Sequence, residues 1–135
     1  MWMRVLFCAV LTGVFLILGC EPADNRGPLE GAWELREATY TTPDTSMGLD
    51  QTMVKILTAG HFAFGRQGEE GPFAGGGRYE FDGETYTEIV EYHIDPQALD
   101  QVLTFDIEIE GDSVWYHSGN VGENLFIEEV WHRID

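Results

Sequence analysis

Beyond residue 30 apolar and polar residues alternate in short runs, broken at intervals by Gly, Asp, Asn and Pro. A period of two sends successive side chains to opposite faces, so the pattern predicts strands that bury one face. The longest sustained alternation covers residues 75–93, with Asp82-Gly83 between its two arms. An Asp-Gly pair between alternating runs predicts a two-residue hairpin. That turn would set Phe81 opposite Glu84, Tyr79 opposite Tyr86 and Gly77 opposite Glu88. Val90, Tyr92 and Ile94 would continue the core face, with Arg78, Glu80, Thr85, Thr87, Glu91 and His93 on the other. Glu88 is then a carboxylate on an apolar face, beside the space left by a glycine.

The same alternation predicts a strand after Gly31, with Trp33, Leu35 and Thr39 on one face, and a strand pair over residues 52–58 and 61–67 around Ala59-Gly60. In the second of that pair Phe62, Phe64 and Arg66 share a face. Residues 41–51 and 67–74 lack periodicity and are expected to be loops, the first a candidate lid. Asp95 as N-cap and Pro96 at the first helical position predict a short helical turn near residues 96–100. Residues 102–110 alternate cleanly, with Leu103, Phe105, Ile107 and Ile109 inward. Gly111-Asp112 then turns the chain. A two-residue loop would point Val114 and Tyr116 inward, whereas a three-residue bulged loop would point Trp115 and His117 inward. The last strand, residues 125–134, has two mixed faces; the one carrying Leu125, Ile127, Glu129, Trp131 and Arg133 places Glu129 inward. About eight short strands and one helical turn predict an all-β barrel or sandwich.

Composition narrows the functional classes. A formal net charge of −17 with only 7 Lys and Arg excludes a phosphate-binding surface for nucleic acid and opposes adsorption to anionic lipid headgroups. In 135 residues one domain is expected. Both cysteines, Cys8 and Cys20, lie near the N-terminus, so no disulfide staples the folded part. Arg4 followed by the apolar residues 5–18 predicts a signal peptide, the run being too short for a spanning helix. Its end, Leu16-Ile17-Leu18-Gly19-Cys20, resembles a bacterial lipobox, which implies cleavage before Cys20 and lipidation of that cysteine. The expected organisation is a lipoprotein signal peptide (1–19), a lipidated cysteine and Pro/Gly-containing tether (20–28), and a barrel domain (29–135). The lack of Asp after Cys20 resembles lipoproteins of the outer membrane. The expected location is therefore the bacterial cell envelope, with membrane contact through the anchor only.

Gly31-Ala32-Trp33 resembles the first-strand signature of lipocalins. The stretches Lys55 to Phe64, Gly75 to Tyr79, Glu84 to His93 and Glu129 to Arg133 resemble lipocalin-like domains of secreted and lipid-anchored bacterial proteins of uncharacterised function. The resemblance implies an up-and-down antiparallel barrel of the calycin kind with an internal cavity, and no activity. It also implies that Arg133 stacks on Trp33 to close one barrel end. The inward polar residues Glu88, Glu129 and Arg66, with the aromatics Tyr79, Tyr92 and Trp131, form the candidate ligand-binding set, because charges inside a barrel need a partner or a ligand. The four histidines are isolated in sequence, and neither a metal nor a cofactor is expected. Haem-binding relatives of this barrel class make an inward His117 a conceivable iron ligand in the bulged register alone. No Gly-x-Ser-x-Gly elbow is present. The leading expectation is a binding module for a small hydrophobic or amphipathic molecule. A barrel enzyme using Glu88 and Glu129 (cyclase, isomerase or hydrolase) and an interaction domain with a filled barrel are the alternatives.

Overall fold

The computed structural model describes residues 26–48 and 52–135. The expected signal peptide, Cys20 and all of the tether up to residue 25 lie outside the described residues. The strands are β1 (Gly31–Thr41), β2 (Ser46–Gly48), β3 (Val54–Thr58), β4 (His61–Gly68), β5 (Gly71–Phe81), β6 (Thr85–His93), β7 (Val102–Glu110), β8 (Val114–Val121) and β9 (Leu125–Arg133). From β3 to β9 each strand pairs antiparallel with the next, β2 and β3 both pair with β1, and β1 also pairs with β9. β2 and β3 pair with successive halves of β1, so the sheet closes as an eight-stranded barrel. Among the described residues closure leaves no long sheet edge exposed. The helical turn is a single 3-10 turn, Pro96–Ala98, with the Asp95 side chain accepting from the Gln97 N–H at 2.9 Å.

Local chemistry corrects the expected registers. Asp82 Oδ1 accepts from the Glu84 and Thr85 N–H groups at 3.0 and 2.8 Å. The turn is thereby two residues longer than an Asp-Gly hairpin, and Phe81 faces Tyr86 while Tyr79 faces Glu88. A slip of two preserves the faces, so Glu88 still points inward, although opposite Tyr79 rather than Gly77. Gly77 has a different task. A bulge in β6 lies opposite Gly76 and Gly77, and a Cβ on Gly77 would run into the Ile89 carbonyl. The extra residue reverses the faces above it: Tyr92 is 68% exposed, and His93 turns toward the cavity.

A second bulge, at Arg36 in β1, does the same there. Ala38 is buried and Tyr40 lines the interior, while Thr39 does not follow Trp33 and Leu35 inward. Residues 67–74 are not a loop: Gly68 pairs with Gly71 across Glu69-Glu70, and β5 runs from there without a break. Part of the expected 41–51 lid is β2, hydrogen-bonded to β1; residues 49–51 lie outside the described residues. The β7–β8 loop has three residues, 111–113, with Gly111 at φ 61°. Trp115 and His117 consequently face inward, each opposite an inward isoleucine of β7.

Candidate functional site

The barrel has a closed base and an open mouth. At the base Trp33, Trp115 and Tyr86 are fully buried, with Trp33 and Trp115 ring centroids 5.6 Å apart, edge to face. The Arg133 guanidinium carbon lies 4.2 Å from the Trp33 ring centroid. Its nitrogens donate to the carbonyls of Pro28 at 3.0 Å and Glu30 at 2.6 Å, and the Trp33 indole N–H donates to Leu29 at 2.9 Å. Arg133 and Trp33 thus tie the entering chain across the barrel end. Tyr79, expected on the ligand wall, belongs to this end: it packs on Tyr86 at 5.5 Å and lies outside the cavity lining. Burial raises its hydroxyl pKa, with Glu30 adding to the effect.

Above this base the interior is a cavity of about 480 Å³. Its wall is an apolar belt including Leu103, Phe105, Val121, Leu125 and Ile127, and Met53, Phe64 and Phe73 extend it around the barrel. Its mouth carries Arg66, His93, Asp95 and Gln97. The Arg66 guanidinium carbon lies 5.1 Å from the Phe73 ring centroid, and His93 packs edge to face on the same ring at 5.2 Å. Tyr92, expected on this wall, lies outside the barrel for the reason given above.

The floor is polar and buried. Lys55, 4% exposed, places Nζ 2.7 Å from Glu88 Oε1, which also accepts from the Tyr86 hydroxyl at 2.9 Å. Four rings surround the ammonium: Trp131 at 4.9 Å, Trp115 at 5.3 Å, Tyr86 at 5.5 Å and Phe62 at 5.8 Å from Nζ to each centroid. Burial and the Glu88 charge drive the Tyr86 hydroxyl pKa well above its ordinary value.

Glu129 forms the second half of the floor. It accepts from the Tyr40 hydroxyl at 3.2 Å and the Trp131 indole N–H at 3.0 Å. His117 Nε2 lies 3.0 Å from its Oε2, a close polar contact without the alignment of a good hydrogen bond. Burial pushes the Glu129 carboxyl up, but the His117 contact, the Lys55 charge and the Trp131 N–H outweigh it, bringing the pKa down to about 2. The His117 ring stacks on Phe105 at 4.3 Å, and its Nδ1 has no hydrogen-bond partner among the described residues.

Sequence reasoning therefore placed Glu88, Glu129, Trp131 and Arg66 on the interior, and missed Lys55, Tyr40 and, in one of two registers, His117. Lys55 was recoverable. With the Ala59-Gly60 turn and Phe64 inward, a two-residue hairpin puts Lys55 directly opposite Phe64, which is the observed pairing. Among the described residues no group of three His, Cys, Asp or Glu side chains is arranged to hold a metal ion.

This architecture has solved counterparts. A lipocalin-like protein from Bacteroides uniformis ATCC 8492 aligns with a TM-score of 0.53 at 20% identity, covering 80% of this chain and 100% of that one. An uncharacterized protein from Bacteroides eggerthii DSM 20697 gives 0.52 at 16% identity, with 78% and 98% coverage. A redesigned β-barrel gives 0.50 at 13% identity, with 80% and 93% coverage. At these identities the likeness is one of fold. No curated protein matches the chain in sequence. The family model described as a domain of unknown function, DUF4488, matches residues 28–135, the whole of the barrel, and the chain belongs to that family.

Proposed function

We propose that the protein is a binding module that takes a small hydrophobic or amphipathic molecule into the open half of its barrel. The observation that carries this reading is the cavity of about 480 Å³, whose apolar belt leads down to a polar floor of Lys55, Glu88, His117 and Glu129. Small-molecule sites commonly combine such a volume, roughly 300–1,000 Å³, with apolar walls and a few fixed polar groups. The lipocalin-like solved relatives support the reading through fold alone.

An acid–base role for the two carboxylates is poorly supported. The Glu129 carboxyl is held at about 2, too low to donate a proton near neutrality, and Glu88 is tied up in its ion pair with Lys55. A filled barrel is disfavoured by the cavity itself.

The location belongs to the same proposal. With Cys20 lipidated, the domain is held in the cell envelope, with the outer membrane as the expected site. The described chain enters at the closed base, where Arg133 holds the Pro28 and Glu30 carbonyls. The anchor would then tether the base, and the mouth would open away from that attachment.

Uptake of a neutral apolar fluorophore, N-phenyl-1-naphthylamine, by the purified full chain tests the binding reading. Saturable enhancement abolished by Leu103→Arg or Ile127→Arg is expected; absence of saturable uptake by folded protein would refute it. Intact-mass measurement of the membrane-extracted protein tests the anchor. A diacylglyceryl adduct that disappears in Cys20→Ala is expected, and an unmodified mature chain would remove the anchor from the proposal.

A further inference from the structure

We propose that the anchored domain lies on its side against the bilayer, with the outer wall of β3 to β6 facing the lipid and the mouth opening at the lipid surface. This rests on the Cys20 anchor in the reading above and names the face of the barrel that meets the membrane. The net charge of −17, which opposes adsorption of the molecule as a whole, is unevenly spread over the exterior. On the wall formed by β1, β9, β8 and β7, the outward residues Glu37, Asp106, Glu108 and Glu128 line an acidic groove.

The wall of β3 to β6 is different. Cross-strand pairing sets Ile56, Ala63, Gly76 and Tyr92 in one outward row across four strands. The next row toward the mouth runs through Val54, Gly65 and Ala74, and ends at Ile94, whose N–H donates to the Ala74 carbonyl at 3.0 Å. Neither row holds a charged residue, yet Ile56 and Ile94 are 52% exposed and Tyr92 is 68% exposed. A barrel wall is convex, but here small residues occupy the middle of both rows and large ones the edges, which flattens the surface toward a plane. Charges flank this face without entering it. Arg78 and Glu91 pair at 2.7 Å on its base side, Glu69-Glu70 turn the chain on its mouth side, and Asp95 gives its carboxylate to the Gln97 N–H.

The anchor selects the occupant of that face. Six residues, 20–25, separate Cys20 from the described chain, and fully extended they reach at most about 20 Å. The domain is thereby held beside the bilayer, where a face that binds lipid weakly by itself works at high effective concentration. Of the two walls, the acidic one would lose the hydration of its carboxylates against the headgroups. The uncharged one gives up little polar solvation and offers Ile56, Tyr92 and Ile94 to the interface. The chain enters at the base, so the mouth, at the far end, opens along the membrane surface beside Tyr92 and Ile94.

The test uses the lipidated protein reconstituted in phosphatidylcholine vesicles that carry a doxyl-labelled lipid. With Cys20 lipidated and Cys8 cleaved away, a nitrobenzoxadiazole label attaches only to a cysteine introduced by Tyr92→Cys or, on the acidic wall, by Glu108→Cys. Quenching at position 92 at least about threefold that at position 108 is expected, and Ala74→Glu, which puts a charge into the middle of the face, should remove the difference. Equal quenching at the two positions, stronger quenching at 108, or a difference that survives Ala74→Glu would overturn the orientation while leaving the anchor and the binding module intact. Shielding of position 92 from aqueous iodide without quenching by the lipid label would mean that a second copy covers this face, and would also overturn it. An intact mass without the diacylglyceryl adduct would remove the anchor and the orientation together.

Discussion

The two halves of the barrel interior are built from the same strands and solve opposite problems. In the lower half Trp33, Trp115, Trp131 and Tyr86 interlock, and the space is filled. In the upper half the cavity is lined on these strands by Val121 on β8, Leu125 and Ile127 on β9, and Val90 on β6, with the small Ala38 buried on β1. On β6, β8 and β9 the large rings at the base (Tyr86, Trp115 and Trp131) therefore give way to smaller inward residues toward the mouth. Lys55 and Glu88 lie at the boundary, where an aromatic floor below and a low-dielectric space above make an unpaired charge costly. A plugged end with an open, polar-floored end is the arrangement that the proposed binding role requires.

If the base is structural and the upper half functional, substitutions in the two should separate. The largest effect is expected for Trp33→Ala, which should destabilise by about 3–5 kcal/mol in chemical denaturation, as for other buried aromatics, with fluorophore affinity unchanged in the folded fraction. Loss of affinity without loss of stability would merge the two halves. Lys55→Met should cost a comparable amount, about 3–5 kcal/mol, because it strands Glu88 in the interior. The double change Lys55→Met/Glu88→Leu should recover most of that stability while altering probe affinity. A purely structural pair would recover stability and leave affinity as it was.

Acid stability gives a finer test. The Glu129 carboxyl is held below its ordinary 4.5, at about 2. A depressed carboxyl contributes stability that is fully present above the unfolded value and is lost as the pH falls through the folded one. Denaturation midpoints should therefore decline between about pH 4.5 and pH 2, and Glu129→Gln should flatten that limb. A wild-type limb unchanged in Glu129→Gln would show that the carboxylate is not held by His117, Lys55 and Trp131 as described. Arg133→Ala comes next, at about 0.5–2 kcal/mol for the stacked cation together with its carbonyl contacts, and so less than Trp33→Ala. The smallest effect is expected at Tyr92. Tyr92→Ser should change stability by less than about 0.5 kcal/mol and leave probe affinity alone. A lost affinity there would place the tyrosine inside after all.

Much of the barrel was legible in the chain by itself, because alternation is a local property. Residues 102–110 show this: Phe105 is buried, Leu103, Ile107 and Ile109 face inward, and the acids between them are exposed. Glu88 was legible too, although its partner strand was read two residues out of register, since an even slip does not change faces. About eight strands and a helical turn after Asp95 followed from the same local signals, whereas the choice of a barrel over a sandwich came from the lipocalin-like resemblance.

What the tertiary structure alone decided are the places where one residue is added or withheld. The bulges at Arg36 in β1 and opposite Gly76 and Gly77 in β6 exchange Thr39 for Tyr40 and Tyr92 for His93 on the inner surface. A third residue in the 111–113 loop brings in His117. Each is an odd count, which reverses every side chain beyond it. Alternation told which residues share a face, whereas closure of the sheet determined where that sharing stops.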